Sequence, residues 1–152
     1  MAALRKALPV VLCGRTTAVG KPVSEALLPE FEVIRFIQTK ERALDELPFS
    51  WGESPPSCSP TSDIGTNSFG RQPRAVIIGR AFSQEDVEAL RDACKGINKD
   101  PVAWIVGNPA KKPPAGAPSR LPEYAAAVAR DCKDTLTKWV ERGASKRELL
   151  LF

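Results

Sequence analysis

Four short apolar runs, each followed by a segment of helical character, leave this chain few ways to fold. Pro9–Cys13 reads P-V-V-L-C, Phe31–Thr39 reads F-E-V-I-R-F-I-Q-T, Arg74–Gly79 contains A-V-I-I-G, and Val102–Val106 reads V-A-W-I-V. Pro9–Cys13 is a continuous apolar run, as strands buried on both faces are, and Phe31–Thr39 is rich in β-branched and aromatic residues. Such burial belongs to parallel sheets, where helices connect successive strands and cover both sides.

The intervening segments supply those helices. After Gly20, Pro22 sits where a first helical turn tolerates proline, Val23, Ala26 and Leu27 mark an apolar face, and Pro29 stops the helix. A short helix is expected over Lys40–Leu47. Ser83 with Asp86 three residues on forms a capping box, opening a helix that turns Val87, Leu90 and Cys94 to the core and ends at Gly96. The last helix, about Pro122 to Arg142, carries Leu121, Tyr124, Val128, Cys132, Leu136 and Trp139 on one stripe at spacings of three and four. The expectation is an α/β fold: a three-layer open parallel sheet of four strands in the order 2-1-3-4, Rossmann-like or flavodoxin-like.

With 152 residues, the chain is read as a single domain, 1–152, too short to hold a separate substrate domain. The formal charge of +4 does not point to nucleic acid, because the basic residues are dispersed among acids and gather only into the doublets Lys111-Lys112 and Lys146-Arg147. Histidine is absent, which excludes a Ser-His-Asp or Cys-His machine. The four cysteines lie far apart without zinc spacing, and Cys13, Cys94 and Cys132 read as reduced core thiols of a cytoplasmic protein. Arg5 and Lys6 precede an apolar run too short for a signal peptide, Leu12 ahead of Cys13 does not suit a lipoprotein, and no stretch is long enough to span a membrane.

A ligand of an open α/β sheet sits beyond the carboxyl ends of the strands, where chain order reverses and neighbouring loops part. In the order 2-1-3-4 that place lies between the first and third strands. Their exits echo one another, V-V-L-C-G-R at Val10–Arg15 and V-I-I-G-R at Val76–Arg80, so Gly14-Arg15 and Gly79-Arg80 would flank the crevice, with Gly107-Asn108 nearby. Arginine can hold a phosphate or carboxylate through two parallel hydrogen bonds. The expected ligand is therefore an anionic small molecule or nucleotide, held by Gly14, Arg15, Thr16, Thr17, Gly20, Lys40, Arg42, Gly79, Arg80 and Asn108. The alternative is that both arginines merely edge the sheet or pair with Glu and Asp.

The turn Gly14-Arg15-Thr16-Thr17-Ala18-Val19-Gly20 resembles the G-x-x-G-x-x-G turn of short-chain dehydrogenases and the related NmrA-like proteins. That resemblance implies a degenerate NAD(P)-binding Rossmann-like fold. The end glycines are in register, and Thr17 stands in the place of the middle glycine. No acid closes the second strand, where Q-T-K-E-R follows, so Lys40 and Arg42 either suit the 2′-phosphate of NADP better than NAD or are ordinary exposed charges opening a short helix. The Tyr-x-x-x-Lys pair of those dehydrogenases is missing, since Val128 stands four residues after Tyr124. The chain also resembles a group of small single-domain fungal proteins, through V-V-L-C-G-R-T, V-G-K-P-V, P-E-F-E-V-I-R-F-I-Q-T and A-V-I-I-G. This second resemblance implies the fold and carries no activity with it.

Two segments stand apart. The Pro-, Ser- and Gly-rich insertion 48–73 is read as a covering loop whose Phe49, Trp51, Ile64 and Phe69 could close over a ligand, or else as disordered. The tail 144–152 ends in E-L-L-L-F and is expected to dock on its own domain or on a second subunit as a homodimer contact. The leading functional expectation is a small-molecule or nucleotide-binding protein without dehydrogenase catalysis. The alternatives are a cofactor-independent isomerase, lyase or cyclase of small-molecule metabolism, using Asp63, Glu53, Tyr124 or Cys58 as acid or base, and a structural interaction module.

Overall fold

A computed structural model of the chain describes residues 8–14, 17–28, 30–50, 73–79, 82–94, 102–107, 121–142 and 148–151. In chain order the elements are β1 (Leu8–Cys13), α1 (Thr17–Leu27), β2 (Phe31–Ile37), α2 (Lys40–Ser50), β3 (Ala75–Ile78), α3 (Gln84–Ala93), β4 (Ala103–Val106), α4 (Leu121–Glu141) and β5 (Glu148–Leu151). All strand pairings are parallel, in the order β2-β1-β3-β4-β5. The four expected strands thus stand in the expected order.

The fifth strand was not foreseen. Leu149 and Leu150 align with Trp104 and Ile105 of β4, so the apolar tail docks within its own chain as the outer strand of the sheet. A run of four residues after a long helix is too short to carry a periodicity, and pairing with β4 is what makes it a strand.

Burial divides the core in two. On one face, Val23 and Leu27 of α1 and Ala125, Val128, Ala129, Cys132, Leu136 and Trp139 of α4 pack on Val10, Leu12, Val33, Phe36, Ile77 and Ile105. On the other, Ala43 of α2 and Val87, Leu90 and Cys94 beside α3 pack on Val11, Cys13, Ile34, Ile37, Val76, Ile78 and Trp104. Strands buried on both sides explain the unbroken apolar runs. Lys133 of α4 adds a polar tie, donating to the carbonyls of Ala26 and Leu28 at 3.2 and 3.4 Å while pairing with Glu30 at 2.6 Å. This closes the carbonyl end of α1.

Two helices differ from expectation at proline. α1 begins at Thr17, ahead of Gly20, so Pro22 lies inside the helix rather than in its first turn. α2 runs through Pro48 to Ser50, three residues beyond the expected end and into the segment assigned to the insertion. Each proline removes one backbone hydrogen bond from its helix, and at Pro48 that loss falls in the last turn, where little helix remains to be disturbed. The rest of the expected covering segment lies outside the described residues.

One irregularity decides where side chains of β2 point. Val10 pairs with Val33, but the next residue of β1, Val11, pairs with Arg35, leaving Ile34 as an extra residue. Strict alternation from Phe31 and Val33 would send residue 35 toward α1 and α4. The bulge instead brings Arg35 into register with Val11, on the α2 and α3 side, and carries Phe36, beside Leu12, to the α1 side.

Candidate functional site

β1 and β3 are neighbours, yet their outgoing connections lead to helices on opposite faces of the sheet, α1 and α3. Chain order therefore reverses between them, and their exits part at the carboxyl edge. The two exit glycines meet there: the Gly79 amide donates to the Cys13 carbonyl at 2.9 Å, and a Cβ built on Gly79 would lie 3.3 Å from that oxygen and 3.9 Å from Gly14 Cα. The echo of V-L-C-G with V-I-I-G is thus a physical adjacency.

The same contacts limit what these glycines can offer a ligand. Gly14, Gly79 and Gly107 donate their amides at 2.9 Å to the carbonyls of Ile37, Cys13 and Ile78 respectively. Those N–H groups continue the sheet ladder, so backbone donors for an anion must come from positions beyond them. Gly20, the closing glycine of the turn, is occupied by packing. A Cβ there would fall 2.5 Å from Cε2 of Phe36 and 2.6 Å from its Cζ, and one on Gly14 would sit 3.4 Å from the same Cε2. Gly20 thus makes room for the Phe36 ring, the role of close helix-to-strand packing, whereas a side chain at Gly14 would meet the ring only in ordinary contact.

Of the other expected site residues, Arg15, Thr16, Arg80 and Asn108 lie outside the described residues, as do Glu53, Cys58 and Asp63. Thr17 opens α1 and Tyr124 lies in the first turn of α4 by backbone position. Lys40 and Arg42 occupy the first turn of α2, which Thr39 caps by accepting from the Arg42 amide at 3.1 Å. Both are engaged by acids. Lys40 Nζ lies 3.4 Å from Asp86, across on α3, and Arg42 Nε donates to Oε2 of Glu46 at 2.7 Å.

Glu46 belongs to a buried cluster that sequence reasoning missed. Its Oε1 accepts from Nε and Nη2 of Arg35, and both side chains are only 2% exposed. The signal available was an arginine in an otherwise apolar strand and an acid eleven residues later, but only the bulge shows that Arg35 faces α2. Glu46 and the neighbouring Cys94 add to burial in pushing up the Cys13 thiol, while burial alone raises Cys94 to about 12. Neither thiol is a nucleophile at neutral pH.

The start of α3 frames the crevice on the β3 side. Ser83 accepts from the Asp86 amide at 3.1 Å and its own amide donates to Asp86 Oδ2 at 3.0 Å, completing the capping box read from the sequence. Ser83→Ala should cost about 1 kcal/mol, read as a lower denaturant midpoint. The backbone N–H of Ser83, then its side chain and Lys40, hold the Asp86 carboxyl below its usual range. A depressed folded-state value stabilises above the unfolded value and is lost as pH falls through the folded one. The stability advantage of the native chain over Asp86→Asn should therefore shrink as the medium is acidified through the carboxylate range, and thermal melts at stepped pH will show whether it does.

Fold and edge geometry together define an open, doubly wound parallel α/β domain whose strand order reverses between β1 and β3. Among the described residues no helix is long and apolar enough to cross a membrane. No protein-family profile matches the chain, and no solved structure matches it. It is 34% identical over 148 residues to Kojic acid related protein 6 of Aspergillus oryzae, an alignment covering 95% of this chain and 86% of that protein. The chain belongs to the family of that fungal protein.

Proposed function

We propose that the domain binds an anionic small molecule or nucleotide in the crevice between β1 and β3 and performs no dehydrogenase chemistry. The observation that carries this reading is the reversal of strand order between β1 and β3, which parts the exits of two strands whose glycines already touch. The positive ends of α1, α2 and α3 lie at the same carboxyl edge, because each follows a strand of one parallel sheet. Arg15 and Arg80 follow the adjoining glycines directly in sequence. A ligand bearing phosphate suits this setting, and among dinucleotides NADP suits the basic residues after β2 better than NAD. The relative's name ties that protein to kojic acid, a small organic molecule, which supports a place in small-molecule metabolism.

Titration with NADPH, NADH and inorganic phosphate, followed by tryptophan fluorescence, tests the reading. NADPH is expected to saturate more tightly than NADH, and Arg15→Ala and Arg80→Ala each to weaken binding by roughly tenfold or more, the loss of a charge-assisted hydrogen bond. A chain that shows no saturation with any of the three at millimolar concentration has no such site.

A further inference from the structure

Glu46 holds two arginines with one carboxylate. Oε1 is closed by Arg35, a neighbour as deeply buried as Glu46 itself, while Oε2 takes Arg42, whose side chain is 29% exposed. The two arginines stand on different footings. Arg35 is delivered from the middle of β2 by the bulge and faces α2 with no exit to solvent. Arg42 sits at the open start of α2, one turn after the Thr39 cap.

The placement of Arg42 is not explained by what it does for its helix. The first turn of a helix favours acids, because its amide ends carry partial positive charge, and α2 places Lys40 and Arg42 there. A basic residue four positions before an acid is also the less favourable orientation of such a pair. Lys40 in the same turn reaches Asp86 at the start of α3, so this turn borders the exit of β3 and hence the crevice. Cys13, the last residue of β1 before Gly14, packs in the same buried cluster as Ala43 of α2. The cluster therefore adjoins both walls of the proposed site.

We infer that Glu46 is a resident competitor for Arg42, holding its guanidinium back from the crevice until an anionic ligand takes it over, while Arg35 keeps the buried carboxylate compensated. This rests on the binding reading above. A phosphate or carboxylate group on the ligand would exchange with Glu46 Oε2 as the acceptor for Arg42, and Oε1 would keep its contacts to Arg35. Glu46 thus sets the affinity threshold of the site instead of contacting the ligand.

Inorganic phosphate is the probe, titrated into the full-length chain by calorimetry. Replacing the buried pair by apolar residues, Arg35→Met with Glu46→Leu, removes the competitor without stranding a buried charge. That variant should bind phosphate about tenfold more tightly than the native chain, and adding Arg42→Ala should abolish the gain. Should that double variant fail to fold, Arg35→Leu with Glu46→Met, a second apolar pair that also strands no buried charge, is read in the same way. Equal affinity in the native chain and the competitor-free variant overturns this inference and leaves the binding reading standing. Absence of binding in every variant overturns both.

Discussion

Glu46→Ala should be the most destabilising single exchange in the α2 region, costing about 3–5 kcal/mol, because it takes away the carboxylate on which the buried Arg35 guanidinium closes. The size follows from asymmetry. A buried ion pair is worth little against an apolar pair of similar volume, but removing one partner forces the other to meet a low-dielectric interior without it. The combined exchange Arg35→Met and Glu46→Leu should therefore melt close to the native chain, within about 1 kcal/mol, although each half of it alone is costly. Urea denaturation of the two single variants and the double variant measures the coupling. If the two single losses simply add in the double variant, Arg35 and Glu46 do not depend on one another and the account of the buried pair fails.

The second large effect is a reversal of sign. Glycine inside a helix is ordinarily improved by alanine, by about 0.5–1 kcal/mol, and Gly20 lies inside α1. Gly20→Ala should nevertheless destabilise. Its Cβ would fall 2.5, 2.6 and 3.2 Å from Cε2, Cζ and Cδ2 of Phe36, all inside ordinary contact. The ring could yield only by turning, and it is 2% exposed in the core and already rests on Gly14. Overpacking of this kind costs about 1–3 kcal/mol, which outweighs the helix gain, and valine at the same place should cost more. Shortening the opposing side chain, Phe36→Leu, should be harmful alone but partly restore Gly20→Ala. A midpoint for Gly20→Ala at or above that of the native chain would show that α1 and β2 are not in contact through these two residues.

These two predictions bear on how a glycine-rich turn is read. In the sequence, Gly14 and Gly20 count as parts of a dinucleotide fingerprint. In the fold, Gly20 makes room for Phe36, and the amides of Gly14 and Gly79 complete hydrogen bonds of the sheet. The turn marks the crevice by position, and any grip on an anion falls to side chains and to amides beyond the glycines.

Much of the architecture was legible because it depends on local rules. The runs Pro9–Cys13, Ala75–Ile78 and Val102–Val106 are continuously apolar and Phe31–Ile37 is rich in β-branched and aromatic residues, as strands covered on both faces are, so strand identity, parallel direction and the two helical layers follow together. Ser83 and Asp86 announce the start of α3 because the capping box is satisfied entirely within four residues. The stripe Val128, Cys132, Leu136 and Trp139 shows the face α4 buries. Helix boundaries at Pro22 and Pro48 were not legible, since whether one lost hydrogen bond is tolerated depends on what else holds the helix.

What remained for the tertiary structure shares a physical cause. The two charged residues of F-E-V-I-R-F-I, Glu32 and Arg35, fall on opposite parities, so the pattern shows no single alternation and does not say that Ile34 is extra or which way Arg35 and Phe36 point. The sheet settles it through the pairing of Val11 with Arg35, and that one bulge sends Arg35 to Glu46 and Phe36 to Gly20. Likewise, E-L-L-L at the chain end becomes a fifth strand only because β4 presents an edge for it to pair with. The sequence by itself determined the layers, the strand order and the point where that order reverses, all consequences of local patterning. Which side chains meet beside that point, Arg35 with Glu46 and Phe36 with Gly20, depends on contacts between residues distant in the chain, and only the folded sheet decided it.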